Sequence, residues 1–180
     1  MLLHQIQAAY RADDDRLLLR VSFAENDGSL QEIRAWITRA LVKTLWPGII
    51  RALETQVALD QPQAAHARVE IVNMQHQATV TEIRSRGDFD VPFAPEEYSY
   101  PFGEQPILLV RAHISVQAKQ TPRINFVSAH NGSFEVAFTS SMLHGFCTLL
   151  QDAVKKAEWD IELRLPGIPA EQELAQRVLN

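Results

Sequence analysis

The stretch 17–53 constrains the fold most, because the spacing of its apolar residues changes partway along it. The first apolar residues alternate with other residues, as on one face of a β-strand, at Leu17, Leu19, Val21 and Phe23. The Asp27-Gly28 pair that follows favours a tight hairpin turn, so a return strand is expected at 30–37. Beyond that strand, apolar residues recur at intervals of three and four, which predicts a helix over 39–57.

A similar order of elements recurs in the second half of the chain. Alternating segments predict strands at 107–118, 123–129 and 134–139, with Asn131-Gly132 at the hairpin turn, and a helix at 140–157. A short strand at 3–10 completes the first unit. The sequence therefore predicts two related β-β-β-α units, with chance recurrence of a common motif as the alternative.

The predicted fold class is α+β, with an antiparallel sheet of about six strands from the two units. The helices are expected on one face of that sheet, and the insertion between the units is expected to lie over a sheet edge or against a partner. A chain of 180 residues, 46% of them hydrophobic, is large enough to bury one core, so we predict a single domain over 1–180. Within it lie the first βα unit at 1–57, the insertion at 58–106, the second βα unit at 107–165, which ends in a predicted edge strand at 159–165, and the C-terminal tail at 166–180.

The tripeptide Trp46-Pro47-Gly48 interrupts the first predicted helix. Because proline lacks an amide hydrogen and its ring crowds the preceding turn, the helix is expected to bend or to stop there. The second predicted helix contains no such tripeptide. The space opened by a bend is therefore predicted to serve the insertion, on one side of the molecule only.

The insertion combines two segments of different composition. Residues 64–84 are rich in Ala, Gln and Glu, which favours a helix, but their β-branched residues leave a strand as the alternative. Residues 87–106 contain four prolines, five aromatic residues, five acids and no Lys or Arg. Such a composition is typical of a long loop that packs on the domain or on a partner. The candidate partner-binding residues in this loop are Phe89, Phe93, Tyr98, Tyr100 and Phe102.

The composition also restricts the class of protein. The net charge is −5, which argues against binding of polyanions by the molecule as a whole and leaves only a local basic face. A single cysteine, Cys147, excludes an intrachain disulfide and a four-cysteine zinc site. Neither a leader peptide nor an apolar run of about 18 residues is visible. We therefore expect a cytoplasmic protein that does not enter membranes and has no cofactor.

Catalytic residue patterns are few. His144 and Cys147 lie one helical turn apart, the spacing at which an imidazole can activate a thiolate, but Cys147 also lies beside an apolar stripe. His66 and His76 are ten residues apart, so we expect surface residues and no metal site. The sequence contains no phosphate-binding glycine loop, nucleophile elbow or metalloprotease helix. A protein without enzymatic activity is favoured, with an enzyme that uses His144 and Cys147 as an alternative.

The outward faces of the predicted strands carry basic and flat side chains. Single-stranded nucleic acid needs cations for its phosphates and flat rings for its bases, although an ordinary solvated face has the same pattern. The candidate nucleic-acid-binding residues are Arg20, Arg34, Trp36, Arg111, His113, Lys119 and Arg123. The leading hypothesis is a binding or assembly protein that uses the sheet face or the aromatic loop. Its ligand would be a protein partner or a second copy of the chain, and single-stranded nucleic acid is the alternative.

Overall fold

The structure is a computed structural model that describes residues 2–86, 97–130 and 132–166. The first unit contains strands β1 (Leu2–Arg11), β2 (Arg16–Ala24) and β3 (Leu30–Ile37), followed by helix α1 (Arg39–Asp60). The insertion contains a 3₁₀ turn (Pro62–Ala67), helix α2 (Arg68–Arg86) and the short strand β4 (Tyr98–Ser99). The second unit contains strands β5 (Ile107–Ser115), β6 (Arg123–Ser128) and β7 (Ser133–Ala137), followed by helix α3 (Ser140–Lys156). The α+β class is confirmed, with seven strands in the sheet where about six were predicted.

The sheet is open and mostly antiparallel, in the order β1-β2-β3-β5-β6-β7. Each half is an antiparallel meander, as predicted, but the two halves join through a parallel pair in which Ala35 of β3 lies opposite Ile107 of β5. The expectation of a fully antiparallel sheet is therefore wrong at the junction. The chain leaves β3 through α1 and the whole insertion, and a connection of that length allows re-entry from the same end. The order of elements recurs in the two halves, whereas duplication itself stays a prediction.

One core cluster fills the space between one face of the sheet and the helices. Both α1 and α3 begin at a threonine cap, where Thr38 accepts from the amide of Leu41 at 3.2 Å and Thr139 accepts from the amide of Met142 at 3.3 Å. Helix α1 packs against β5, and α3 packs against β1. Each helix therefore lies on the first strand of the other unit.

Helix α1 continues through Pro47 and does not stop there. Gly48, the next residue, lies where the helix has little room for a side chain. A Cβ atom on Gly48 would lie 3.1 Å from Cδ1 of Ile114 in β5, so the helix approaches the sheet closely at this point. The prediction that this tripeptide makes room for the insertion is wrong, because the space is filled by the sheet.

Residues 68–86 form a helix, which resolves the helix-or-strand alternative for this part of the insertion. The insertion was predicted to lie over a sheet edge or against a partner; helix α2 is found on the other helices, and its contact with a partner stays a prediction. Helix α2 packs on α1 and α3, and a Cβ atom on Gly145 of α3 would lie 3.3 Å from Cδ1 of Ile83. Farther along the insertion, β4 pairs in parallel with β3 and adds a strand beside it.

Strand β5 is shorter than the predicted 107–118 and does not keep a single alternation. The register with β6 shifts between Leu109 and Arg111, which places a β-bulge at Val110. Leu109 is 1% exposed, whereas Val110 is 49% exposed. The continuous alternation predicted for 107–118 is therefore wrong, because the inward and outward faces exchange at the bulge.

The predicted edge strand at 159–165 is also wrong, since these residues are not in a strand. They form an extended segment, the strap (residues 159–166), in which Leu163 and Leu165 are buried and Glu162 and Arg164 are exposed. The alternation of a strand is present, but side chains of the helices bind the strap instead of a neighbouring strand. None of the helices in the described ranges is both long and apolar enough to cross a membrane.

Candidate functional site

The sheet face opposite to the helices gathers most of the residues predicted for nucleic-acid binding. In β2, β3 and β6 the alternate residues of the inward face are buried in the core, so the residues between them face outward. By this register, the outward face carries Arg20, Arg34, Trp36, Arg111, His113 and Arg123. Lys119 lies beyond the end of β5, in a turn where its φ is 60°. Six of the seven candidates therefore share one face.

Two of these arginines bind a buried carboxylate. The side chain of Glu32 is fully buried and accepts from Arg20 Nε at 2.6 Å and from Arg34 Nε at 2.8 Å. Arg34 Nη2 donates to the second carboxylate oxygen at 3.0 Å. Burial alone would raise the pKa of Glu32, but hydrogen bonds and charge from both arginines outweigh it and hold the pKa below its ordinary value. Arg20 and Arg34 are therefore committed to Glu32.

The aromatic loop occupies the remaining side of Arg34. The guanidinium carbon lies 4.8 Å from the ring centroid of Tyr100, Nη2 donates to the Tyr100 hydroxyl at 3.1 Å, and Nη1 donates to the carbonyl of Glu104 at 3.3 Å. Such a stacked and hydrogen-bonded guanidinium has few donors left for a phosphate. The loop thus contacts the domain itself, one of the two alternatives that its composition predicted.

The other aromatic candidates of the loop have separate positions. Phe102 packs against the core, with its ring centroid 6.1 Å from that of Phe134. Tyr98 belongs to β4. Phe89 and Phe93 lie outside the described residues. Among the described loop residues, Tyr100 and Phe102 therefore make contacts within this chain, and the prediction that they bind a partner stays untested.

A more accessible surface lies on the second half of the sheet. We call it the β5–β6 surface and define it by Leu108, Val110, Arg111, His113 and Arg123. Leu108 and Val110 are 36% and 49% exposed, and the three polar residues are also exposed. Arg123 Nη1 donates to Glu135 at 2.9 Å, and both side chains are about half exposed, so this ion pair is weak.

The two groups of arginines do not form one continuous track. Trp36 lies beside Leu108, so Arg34 is two residues before this level and Arg111 is three residues past it. At roughly 3.3 Å per residue, their Cα atoms are separated along the strands by about 16 Å. Apolar side chains occupy the interval. A polar cleft of about 270 Å³ borders the far end of the surface and is lined by Ser115, Gln117, Gln120, Thr121, Arg123 and Glu135.

The catalytic candidates are buried. Cys147 is 0% exposed, and burial raises the pKa of its thiol to about 12, so the thiol stays protonated at neutral pH. His144 is also fully buried, and its ring contacts that of His76 of α2, at an Nδ1–Nδ1 distance of 3.3 Å. These positions do not support an accessible thiolate nucleophile at Cys147. No group of three metal-binding side chains occurs in the described part of the chain.

Sequence reasoning missed the role of His76, which was expected on the surface and is 9% exposed. A signal was present, since Val72, His76, Val80 and Ile83 recur at intervals of three and four along α2. A histidine within an apolar stripe can belong to the buried face. His66, by contrast, is exposed as predicted.

Comparisons of the chain with protein-family models, with curated proteins and with solved structures give no match.

Proposed function

We propose that this chain is a binding protein without enzymatic activity, and that the β5–β6 surface binds an acidic, partly apolar segment of a protein partner. One observation carries the proposal. Leu108 and Val110 are exposed next to Arg111 on the sheet face opposite to the helices. Apolar side chains of this size are normally turned inward, and the bulge at Val110 instead presents one to solvent.

The chemistry of the surface indicates the chemistry of the partner. Exposed aliphatic groups gain free energy when a partner removes them from water, and an adjacent guanidinium favours a carboxylate in a fixed orientation. Arginine beside apolar groups is common at the centre of protein interfaces. A partner segment that combines Asp or Glu with Leu or Phe satisfies both requirements.

Single-stranded nucleic acid is the second candidate. Trp36 and His113 offer flat rings on the same face as Arg111, as a stacking platform requires. Two observations weigh against it. Arg20 and Arg34 already bind Glu32, and apolar groups interrupt the cationic surface. Self-association of the chain and duplication of the two units also stay proposals.

Selection of random peptides displayed on phage against the folded chain tests the proposal. We expect selected peptides to contain both acidic and apolar residues, and the substitution Arg111→Glu to weaken their binding by at least about tenfold. Arg51→Glu, on the exposed side of α1, is the matched control and should bind as the wild type does. Far-UV circular dichroism establishes that both variants are folded.

The same variants separate the alternatives. If the selected peptides bind the Arg111→Glu variant unchanged, the β5–β6 surface is not the binding site. Salt-dependent binding of labelled oligothymidine that is lost in this variant would replace the peptide proposal with the nucleic-acid one. Light scattering that shows concentration-dependent dimers, lost in a Val110→Asp variant, would identify the partner as a second copy.

A further inference from the structure

Helix α2 buries two side chains and packs on the domain with others that are partly exposed. Val72 and His76 are its buried residues within the described structure. Asn73 donates to the carbonyl of Pro166 in the strap at 2.6 Å, and Ile83 lies against Gly145 of α3. His76 is therefore one of the side chains through which α2 contacts α3.

The contact between α2 and α3 centres on two imidazole rings. His76 and His144 approach with their Nδ1 atoms 3.3 Å apart and their ring planes inclined at 63°. Two nitrogens at this distance form a hydrogen bond when one carries a proton and the other offers a lone pair. A proton on both nitrogens would replace this bond by two opposed N–H groups.

Burial selects which ring donates. His144 is fully buried, and its Nε2 has no hydrogen-bond partner among the described residues, whereas His76 keeps 9% of its surface exposed. Buried N–H groups without an acceptor are rarer in folded proteins than buried acceptors without a donor. His144 should therefore carry its proton on Nδ1 and donate it. His76 then accepts at Nδ1 and carries its own proton on Nε2.

The surroundings of the pair resist protonation. The pKa of both histidines is lowered to about 4, chiefly by burial, with a smaller contribution from the charge of Arg84 of α2 at His76 and from His76 at His144. One turn along α3, the Cys147 thiol stays neutral because its pKa is about 12. No carboxylate within the described structure is among the groups that shift either histidine.

Among the described residues, the other elements packed on α2 and α3 place no carboxylate among the groups that shift the pKa of either histidine. On α1, the carboxylate of Glu54 is bound to Arg68 at 3.4 Å. On β1, His4 faces Ser22 across the sheet at 3.3 Å, and the charge of Arg11 lies at the end of the strand. In the 3₁₀ turn, His66 is exposed. A proton taken up by the pair therefore meets cations and neutral groups.

We propose that the His76–His144 pair is a proton-sensitive latch, which holds α2 against α3 while both rings are neutral and releases α2 when the pair takes up a proton. When Nδ1 of His76 takes up a proton, it becomes a donor, and the hydrogen bond persists only if Nδ1 of His144 accepts. His144 must then carry its own proton on the buried Nε2. That nitrogen becomes an N–H group without an acceptor. Release of α2 places both rings in water, where imidazolium is stable. The latch does not depend on the binding function proposed above.

Hydrogen exchange with mass spectrometry at about pH 7.5 and about pH 5, corrected for the intrinsic pH dependence of exchange, tests the latch. We expect the amides of α2 to lose protection by at least about tenfold more than those of β2 and α1. A double variant, His76→Phe/His144→Leu, replaces the pair with groups that do not titrate and should abolish this difference. His66→Gln is the matched control and should retain it.

Nitrogen-15 spectra of the wild-type histidines at neutral pH give a second test, which does not depend on any variant being folded. We expect His144 as the Nδ1–H tautomer and His76 as the Nε2–H tautomer. Equal loss of protection in all elements at the lower pH would show a general effect on stability and overturn the latch. Unchanged protection of α2, or the Nε2–H tautomer in both rings, would overturn it as well.

Discussion

At the scale of single residues, Glu32 controls what the outward face of the sheet can bind. Its fully buried carboxylate holds two arginines in fixed positions. A buried carboxylate is stable only while its charge is compensated, and the same requirement keeps both guanidinium groups directed at Glu32. Arg111 has no such buried carboxylate among its strand neighbours, which is why the second half of the sheet is the better candidate for a ligand.

Replacement of Glu32 by glutamine should destabilise the domain at neutral pH. The variant keeps the shape of the side chain but leaves two partly buried arginines without a counter-charge, so we expect a loss of about 2 kcal/mol in the free energy of unfolding. Urea denaturation at pH 7 measures it. Glu135→Gln, in the exposed pair with Arg123, is the control and should cost less than about 0.5 kcal/mol. Equal effects of the two substitutions would contradict the assigned role of Glu32.

The difference between wild type and the Glu32→Gln variant should depend on pH with a defined sign. The pKa of Glu32 is lowered in the folded protein, so its contribution to stability is fully present above the unfolded value of about 4.3. It is lost as the pH falls through the folded pKa. The histidine pair acts at higher pH, since its pKa values fall from 6.5 to about 4 on folding. Stability from the pair is therefore lost between these two values, before Glu32 is affected.

At the scale of elements, the bulge in β5 decides which side chains the domain presents. One extra residue at Val110 reverses the inward and outward positions along the strand. Without it, a strand that begins with Ile107 and Leu109 inward would also turn Arg111 and His113 inward. The bulge instead keeps Ala112 and Ile114 in contact with the core.

A pair of aspartate substitutions tests the bulge. Leu109→Asp places a carboxylate in the core and should unfold the domain or cost more than about 3 kcal/mol, whereas Val110→Asp should cost less than about 1 kcal/mol. Thermal denaturation of the two variants measures the difference. Alternation without a bulge that keeps Ala112 and Ile114 against the core would turn Val110 inward and Leu109 outward and give the opposite order, and that result would exclude the bulge.

At the scale of the whole molecule, the sequence was sufficient for the order of strands and helices within the two units, and insufficient for β4, for the strap and for the contacts between elements. Period-two and period-3.6 patterns located the strands and helices of both units, because those patterns depend on local geometry. The parallel junction between Ala35 and Ile107 depends on a connection of about seventy residues, which no local pattern records. The same holds for the contact of Tyr100 with Arg34, which joins residues 66 positions apart and changes the outward face from a basic track to two separate groups.

The strap joins the three helices on the side opposite to the outward sheet face. Trp46 of α1 donates to the carbonyl of Arg164 at 3.0 Å, Asn73 of α2 to that of Pro166 at 2.6 Å, and Gln151 of α3 to that of Leu163 at 2.8 Å. These bonds satisfy backbone groups that a neighbouring strand would otherwise bind. The strap therefore completes the core and couples α1, α2 and α3 to one another.

Because the strap contacts all three helices, loss of one of its buried side chains should weaken the whole domain. We expect Leu163→Ala to lower the free energy of unfolding by about 2–3 kcal/mol, through lost apolar burial and a residual cavity, and Glu162→Ala to change it by less than about 0.5 kcal/mol. Urea denaturation followed by far-UV circular dichroism and by tryptophan fluorescence measures the effect. Both signals should shift to the same lower midpoint, since Trp46 and Trp159 lie in the core that the strap closes. A fluorescence transition that precedes the dichroism transition would show that the strap detaches alone, and would limit its role to local packing.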